Sequence, residues 1–381
     1  MLHGKPSATT GCRKQVNRNH HPQCLPNPPR LRMAALAALA AIAMCACRPA
    51  AARDLTVALH DLLAPGVLRE TVIRPFADTS GLVVDVQRWE GGIAALRTRI
   101  ESKTDPVPPW DALSLTGAEL LAACDAGLLE KLDWAALGGR ERMLPGGAGD
   151  CGLGIALRAL VIAWDRDKLP SVPGATPGLA EFGDVVKLPG RRGLRKQPRG
   201  TLEVALMADG VPPAEVYRQL RTEAGVDRAF RKLEQLRPYI VWWQDDVEAA
   251  RLLASGEVLM TTAPSNGIAE AIRQDGRGFV VQWSGAVTSV VSLAITRGAA
   301  EQQAAVRLLA FAADARAQAT LAQAALLGPL TRGALDTLPP DLQALLPSNP
   351  AALAAGLPSD EAFWRDNLAK LTQRFDAWLP R

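Results

Sequence analysis

The first 52 residues of this 381-residue chain contain no aspartate and no glutamate. The whole chain has 43 lysines and arginines against 39 acidic residues, and seven of the basic residues lie in this first segment. The positive net charge of +4 therefore comes from residues 1–52, and the rest of the chain is slightly acidic. Net charge thus gives no reason to expect a nucleic-acid partner.

Histidine and cysteine are scarce beyond residue 52. His60 is the only histidine there, and Cys124 and Cys151 are the only cysteines. These are too few ligands for a zinc site, and the sequence has no nucleophile elbow and no phosphate loop. Catalysis by a pair of carboxylates would need only aspartate or glutamate, which are present, but no pair of acidic residues has a spacing that supports it. We therefore expect no metal, no cofactor and no enzyme activity.

The segment 1–52 has the three parts of a secretory signal peptide. Arg30 and Arg32 precede the apolar run MAALAALAAIAM at 33–44, and three alanines follow at 50–52. The run is shorter than the ~20 residues that a membrane-spanning helix needs. We predict a leader over 1–52 and a periplasmic protein. The alternative is a lipoprotein, because residues 44–47, MCAC, resemble a lipobox with Cys47 as the lipidated residue.

The two remaining cysteines are expected to face an oxidising compartment. Such a compartment favours one disulfide between Cys124 and Cys151. The alternative is two separate buried thiols. A disulfide would close a loop of about 27 residues and stabilise the fold by ~3 kcal/mol.

Strand-like and helix-like patterns alternate from residue 54 onward. Residues 55–59, 82–86 and 110–115 are typical of strands, and residues 65–79, 91–103 and 118–126 have helical apolar spacing. This order predicts an α/β fold with a parallel, doubly wound sheet. Further strands are predicted at 160–164, 239–243, 258–262, 279–283 and 287–295. Further helices are predicted at 202–208, 213–220, 226–236, 299–326 and 360–379.

The order of several stretches resembles one known family over residues 54–381. These stretches are WEGGIAALRTRIES (89–102), WDALSLTGAELLAACDAGLLEKLDW (110–134), VVKLPGRRGLRKQPRGTLEVALMADGV (185–211), YIVWW (239–243), LLASGEVLMTTA (252–263), GPLTR (328–332) and SDEAFWRDNLAKLTQRFDAWL (359–379). The chain resembles the extracellular solute-binding proteins of bacterial ABC importers, in the spermidine/putrescine-type branch. The Cys124 and Cys151 pair also resembles the disulfide of that branch.

The resemblance implies a two-lobe periplasmic-binding-protein fold with a hinge and an interlobe cleft. Lobe one would comprise 53–158 plus 288–327, and lobe two 159–287 plus 328–381. It also implies a monomer that captures a small molecule and delivers it to the transmembrane subunits of an ABC permease. The alternative is an orphan binding protein that signals to a membrane receptor. Contact with the membrane is expected only through the lipid anchor, if there is one.

The loops at the carboxyl ends of the strands should face the cleft, because ligands of open α/β sheets bind at that edge. Thr116 stands at a helix start whose free N–H groups suit an anion or a carbonyl. Asp61 could equally be a helix N-cap, Trp243 could face the core, and Asp245 could be solvated. The candidate ligand-binding residues are His60, Asp61, Trp89, Glu90, Thr116, Trp243, Asp245, Ser265, Asn266 and Ser289.

The cleft residues depart from a polyamine-binding pattern, which needs carboxylates and aromatic faces. The strand at 289–293 has no acid, the segment 262–265 has no aromatic residue, and Arg199 stands where an acid would be expected. These departures disfavour a diamine ligand. We interpret the basic run at 191–199 as a solvated loop, because no aromatic residues are interleaved with it.

Overall fold

The computed structural model describes residues 54–60, 66–101, 109–169 and 178–379. The strands are β1 Leu55–His60, β2 Val84–Trp89, β3 Ala112–Thr116, β4 Leu153–Asp165, β5 Arg192–Arg195, β6 Ile240–Trp243, β7 Met260–Pro264, β8 Phe279–Ile295 and β9 Leu357–Pro358. The helices are α1 Arg74–Ser80, α2 Ile93–Ile100, α3 Gly117–Asp125, α4 Leu179–Gly183, α5 Pro198–Ala208, α6 Val216–Leu220, α7 Glu223–Leu236, α8 Asp246–Ser255, α9 Ser265–Gln274, α10 Gln302–Ala312, α11 Ala315–Ala325, α12 Pro340–Leu345, α13 Pro350–Ala355 and α14 Glu361–Trp378. Short 3₁₀ turns and a π-helical segment, Arg69–Ile73, complete the chain.

The sheet has two parallel parts joined by two long antiparallel strands. Its order is β2-β1-β3-β8-β4-β7-β5-β6, and β9 adds to β8. Strands β1 to β3 are parallel to each other, as are β5, β6 and β7. Strands β4 and β8 run antiparallel to each other, β8 pairs antiparallel with β3, and β4 pairs antiparallel with β7. The predicted parallel pairing is therefore present in both parts of the sheet, and β4 and β8 add antiparallel pairing that the pattern did not predict.

Strands β4 and β8 pass from one part of the sheet to the other. They pair from Leu153↔Leu293 to Asp165↔Phe279, with register shifts at Gly154/Ala156 and Leu160/Ile162. Strand β3 pairs with one end of β8, and β7 pairs with the opposite end of β4. Between these stretches, around Arg158↔Ser289, the added pairing is short: β9 pairs with β8 at Val287 and Thr288, and Gly328 bridges to Leu157 on β4. Register shifts on both sides of this segment let the two strands bend there.

Each part of the sheet has a buried core on each face. Val57 and Ala58 are neighbours on β1 but belong to different hydrophobic clusters. The same holds for Ile162 and Ala163 on β4, in the other part of the sheet. Successive side chains of a strand point to opposite faces, so these pairs show helices packed on both sides. This is the layering that a doubly wound pattern predicts.

Local signals explain most helix ends. Gly81 ends α1 in the left-handed conformation at φ 69°, as its position in the sequence predicts. Pro75 stands in the first turn of α1, where the chain changes from π-helical up to Ile73 to α-helical from Arg74. The predicted long helix at 299–326 is instead two helices. Asp314 separates them, and its side chain accepts a hydrogen bond from the Arg316 N–H at the start of α11.

Cys124 and Cys151 form a disulfide with a Cα–Cα distance of 5.8 Å. The bond joins the end of α3 to the turn before β4, across a sequence separation of 27 residues. Cys151 is buried within the cluster that also contains Trp89 and Trp110. The predicted pairing is therefore confirmed. The predicted leader and Cys47 lie outside the described residues.

Candidate functional site

A cavity of about 180 Å³ lies beside the middle of the β4/β8 ladder, around Arg158 and Ser289. We call it the arginine cavity. Thr116 and Gly117 reach it from the β3–α3 junction, and Gln197 and Gly200 reach it from the start of α5. Its lining residues are Thr116, Gly117, Arg158, Ala159, Leu160, Arg195, Gln197, Arg199, Gly200, Pro264, Val287, Ser289, Val290, Val291 and Ser359.

Three arginines converge on this cavity from three elements. Arg158 is halfway along β4, Arg195 is the last residue of β5, and Arg199 lies in the first turn of α5. All three are partly buried, and no acidic residue is among the lining residues. Guanidinium groups bind carboxylates through planar, paired hydrogen bonds. The cavity is therefore suited to an anionic group.

A second cavity, of about 880 Å³, shares Arg158 and Arg195 with the first. We call it the mixed-charge cavity. Helices α8 and α9 supply most of its wall, and His60 and Leu327 approach it from the other part of the sheet. Its lining residues are His60, Arg158, Arg195, Gln244, Asp245, Asp246, Val247, Ala250, Arg251, Ala254, Asn266, Gly267, Glu270, Ala271, Asp275, Arg277, Ala325 and Leu327. The two cavities together offer anion-binding and cation-binding groups side by side.

Asp246 partly neutralises the two shared arginines. Its carboxylate lies 3.0 Å from the Arg158 guanidinium and 3.6 Å from that of Arg195. Burial lowers the pKa of Arg195, Asp246 raises it, and the neighbouring Arg158 and Arg199 lower it further. Arg195 also lies over the ring of Trp243, with 5.4 Å between the guanidinium carbon and the ring centroid. A carboxylate from outside would stabilise the charged form of this group.

Arg199 has its own acidic partner. Its Nη2 lies 2.6 Å from Glu361 Oε1 and 3.1 Å from Ser359 Oγ. Glu361 begins α14 and packs against Gly117, where a Cβ would lie 2.6 Å from the Glu361 side chain. Only a glycine allows this contact between the start of α3 and the start of α14. The site therefore includes groups from both parts of the sheet.

Several buried polar atoms in this region lack a hydrogen-bond partner within the described part of the chain. They are His60 Nδ1, Trp243 Nε1, Asp246 Oδ1, Ser265 Oγ and Glu361 Oε2. Buried polar groups in folded proteins are nearly always paired, so unpaired ones are concentrated where a ligand or water binds. Their grouping around the two cavities marks this region as the candidate site.

The structure brings five of the predicted residues to a cavity wall. Thr116 and Ser289 line the arginine cavity, and His60, Asp245 and Asn266 line the mixed-charge cavity. The Thr116 hydroxyl is already engaged with Glu119 in a capping box at the start of α3. Asp245 is the N-cap of α8 and accepts from the N–H groups of residues 247 and 248.

The other predicted residues lie elsewhere. Trp89 is 5% exposed, and its indole N–H donates to the Ser114 carbonyl in the core. Trp243 is fully buried behind Arg195, which agrees with the alternative that it faces the core. Glu90 is exposed and lines neither cavity, and Ser265 is buried beside Asn266. Asp61 lies outside the described residues.

Arg158 and Arg195 were not among the predicted site residues, and Arg199 was noted only for standing where an acid was expected. The basic run at 191–199 is not a solvated loop, since it contains β5 and the start of α5. Arg192 is fully buried, and its guanidinium donates to the carbonyls of residues 181, 182, 188 and 190. Arg158 stands alone in the apolar stretch LGIALRALVIAW, and this isolated charge is the signal that could have marked it.

The described ranges contain no group of three or more His, Cys, Asp or Glu placed to hold a metal ion. Within them, no helix combines the length and the apolar character needed to cross a membrane.

Comparison with known proteins identifies relatives over most of the chain. The family model for bacterial extracellular solute-binding proteins matches residues 71–353. A gamma-aminobutyric acid (GABA)-binding protein of Pseudomonas aeruginosa is 34% identical over 341 residues, which cover 89% of this chain and 95% of the relative. The alignment therefore covers nearly the whole length of that protein.

Solved structures show the same fold. An ABC transporter substrate-binding protein from Bradyrhizobium japonicum matches with a TM-score of 0.74 and 29% identity, over 86% of this chain and 99% of that chain. The Atu4243 GABA receptor matches with a TM-score of 0.74 and 25% identity, over 86% and 97%. The fold is thus the two-lobe, hinged fold of periplasmic binding proteins. The chain belongs to the bacterial extracellular solute-binding protein family and is a substrate-binding protein of the ABC transporter type, not an enzyme.

Proposed function

We propose that the ligand is a small amino acid of the GABA type, whose carboxylate binds in the arginine cavity. The observation that carries this proposal is the convergence of Arg158, Arg195 and Arg199 on a cavity without an acidic lining residue. Asp246 and Glu361 offset part of this charge from the outside. One further carboxylate would balance the remaining positive charge.

The ammonium end of such a ligand would point to the mixed-charge cavity. Asp245, Asp246 and Glu270 line that cavity and can accept hydrogen bonds from an ammonium group. The two relatives named for GABA make the same kind of ligand plausible here. A polyamine has no carboxylate, so it would place a cation beside three arginines at a considerable electrostatic cost. The geometry therefore favours a zwitterion over the polyamine that the family branch implies, in agreement with the departures seen in the sequence.

The division into lobes is part of this proposal. Lobe one, 53–158 plus 288–327, and lobe two, 159–287 plus 328–381, would meet in the middle of the β4/β8 ladder, between the stretches that pair with β3 and with β7. The proposed lobe boundaries cut β4 after Arg158 and β8 before Thr288. Both cuts lie next to the Arg158↔Ser289 pair, where the ladder can bend. Solute-binding proteins deliver small ligands to ABC permeases, and we propose that this one does so as a secreted monomer with the leader removed.

Isothermal titration of the purified protein with GABA, 5-aminovalerate, butyrate and putrescine tests the ligand class. We expect binding of the two amino acids, weaker binding of butyrate and no binding of putrescine. Arg158→Gln should weaken GABA binding by about tenfold to hundredfold, because it removes a charge-assisted hydrogen bond. Arg316→Gln is the matched control, since Arg316 is exposed on α11 and lines neither cavity. Tight binding of putrescine, unaffected by Arg158→Gln, would refute the proposal.

A further inference from the structure

Glu203 is a fully buried carboxylate directly behind the arginine cavity. It lies on α5, is 0% exposed, and has apolar neighbours on both sides in the sequence TLEVALMA. It lines neither cavity and so would not touch the ligand. A buried carboxylate is costly unless its oxygens are hydrogen-bonded, so its partners indicate what it does.

Both oxygens of Glu203 accept hydrogen bonds, and the donors come from different elements. Oε2 accepts from the Gly200 backbone N–H at 2.7 Å. Oε1 accepts from the Tyr217 hydroxyl at 2.9 Å and from the Trp364 indole N–H at 2.8 Å. Only a carboxylate offers acceptors on both sides. A glutamine has one acceptor oxygen, and its NH₂ would face a donor on the other side.

The bond to Gly200 holds an irregular turn. Within α5, Arg199 has extended backbone angles (φ −67°, ψ 129°), and Gly200 has a positive φ of 83°. Residues with side chains rarely adopt the Gly200 conformation, and such turns persist only when surrounding contacts fix them. Glu203 fixes this turn from inside the protein. The turn directs Arg199 towards Ser359 and Glu361 at the cavity.

The other oxygen connects the turn to the C-terminal helix. Trp364 is fully buried on α14, and the Tyr217 hydroxyl lies 3.5 Å from Ser359 Oγ. Ser359 lines the arginine cavity and accepts a hydrogen bond from Arg199. Glu203 is thus connected to Arg199 on two sides. It accepts directly from the N–H of the next residue, Gly200, and through Tyr217 it is connected to Ser359, the side-chain partner of Arg199.

We infer that Glu203 is a positioning residue that holds the Arg199–Gly200 turn, and with it the Arg199 guanidinium, in the arginine cavity. As regards ligand affinity, this inference rests on the proposed function. Buried groups that orient the residues in contact with a ligand typically matter for affinity nearly as much as those residues do. Glu203 acts through Arg199 alone, so its effect on binding should vanish when Arg199 is absent.

A double-mutant cycle on GABA binding measures this dependence. Glu203→Gln should weaken binding by about tenfold in the wild-type background and by less than about twofold in an Arg199→Gln background. Glu223→Gln, a change of the same type at an exposed residue of α7, should leave binding unchanged in both. Equal losses from Glu203→Gln in the two backgrounds would overturn the inference, because a general structural defect does not depend on Arg199.

A second variant covers the case in which Glu203→Gln does not fold. Tyr217→Phe removes one donor to Glu203 and keeps the ring in its packing. We expect a loss of about threefold in the wild-type background and none in the Arg199→Gln background. The same loss in both backgrounds would overturn the inference.

Hydrogen exchange without ligand separates this inference from the proposed function. In the wild-type protein the Gly200 amide should be protected by its bond to Glu203. Glu203→Gln should speed its exchange at least about tenfold, while amides in the middle of α7 stay unchanged. An unchanged Gly200 exchange rate would refute the role of Glu203 even if GABA binds. If no tested carboxylate binds, the proposed function fails, and the exchange result alone decides the role of Glu203.

Discussion

The guanidinium of Arg158 lies 3.0 Å from the carboxylate of Asp246, and this carboxylate is also 3.6 Å from Arg195. One acidic side chain is therefore shared by two arginines that form the wall common to both cavities. Asp246 occupies a position that a ligand carboxylate could compete for. It is also the nearest acid that a ligand ammonium group could meet. Its removal should change which ligands bind, not only how tightly.

Asp246→Asn should change the preference between a zwitterion and a plain carboxylate. The asparagine keeps the size of the side chain but removes the competing negative charge. Because Asp246 is partly exposed, we expect butyrate affinity to rise about threefold to fivefold and GABA affinity to fall by a similar factor. Titration calorimetry with both ligands measures this, with Asp376→Asn on the exposed face of α14 as the control. Equal changes for both ligands would contradict the assignment.

Arg192→Gln should destabilise the protein far more than Arg191→Gln. Arg192 is buried and donates to four backbone carbonyls. Its neighbour Arg191 is exposed and makes a surface ion pair with Glu257 at 3.5 Å. Leaving several buried carbonyls without a donor should cost about 3 kcal/mol or more, against less than about 0.5 kcal/mol at the exposed site. Urea unfolding of both variants gives the free energies. Similar values would show that Arg192 is not structural.

The disulfide should affect stability and leave ligand choice unchanged. Closing a loop across a separation of 27 residues stabilises the fold by about 3 kcal/mol. Replacing both Cys124 and Cys151 with serine should therefore lower the melting temperature by about 6 °C. The order of affinities in the ligand panel should stay the same, because the bond lies in the core beside Trp89 and not at either cavity. A reductant should lower the melting temperature of the wild type and not that of the variant.

Glu203 should make stability depend on pH in an unusual direction. Burial raises its pKa, and the hydrogen bonds from Tyr217 and Trp364 oppose this only in part. The folded protein then binds this proton more tightly than the unfolded chain does. The free energy of unfolding should therefore rise as pH falls through the folded pKa, and this gain should level off below the ordinary value of 4.5.

Urea unfolding of the wild type and Glu203→Gln between pH 8 and pH 4 isolates this contribution, since the other carboxylates are common to both. We expect the wild type to gain stability relative to the variant towards low pH. A difference that is the same at every pH would contradict the raised pKa. The ionised carboxylate is thus less favourable for stability than its protonated form while it positions Arg199, a compromise that is common at binding sites.

The sequence predicted those features of the fold that depend on neighbouring residues. The strands and helices up to α3, the left-handed end of α1 at Gly81 and the amphipathic helix α14 agree with their patterns. Strand β5 was missed because its four residues are rich in arginine and glycine, and their burial depends on carbonyls from another segment. Strand β8 was predicted as two strands because polar residues such as Ser284 interrupt its apolar pattern. The pairing with β4 skips residues 283–286, so the interrupted pattern coincides with an irregularity inside one long strand.

The sequence also predicted only some of the residues that line the cavities. The rule that loops at the carboxyl ends of strands face the cleft placed His60, Thr116 and Asn266 at the cavities. That they bind ligand stays a prediction. This rule could not identify Arg158, because this residue lies in the middle of a strand and not at its end. Its exposure to the cavity arises from its place between the stretches of the ladder that pair with β3 and with β7, which is a property of the whole sheet.

The long β4/β8 ladder also determines when the protein can fold. Strand β3 has no partner on one side until β8 has been synthesised, and the hydroxyl of Thr296 bonds to the carbonyl of Trp110, 186 residues earlier. Contacts between such distant segments form late and slowly, because a long loop must close first. A growing chain that ends before β8 therefore has two incomplete sheets with open edges. Folding of this protein should wait for nearly the whole chain, which keeps the unfinished polypeptide extended and accessible to chaperones during synthesis.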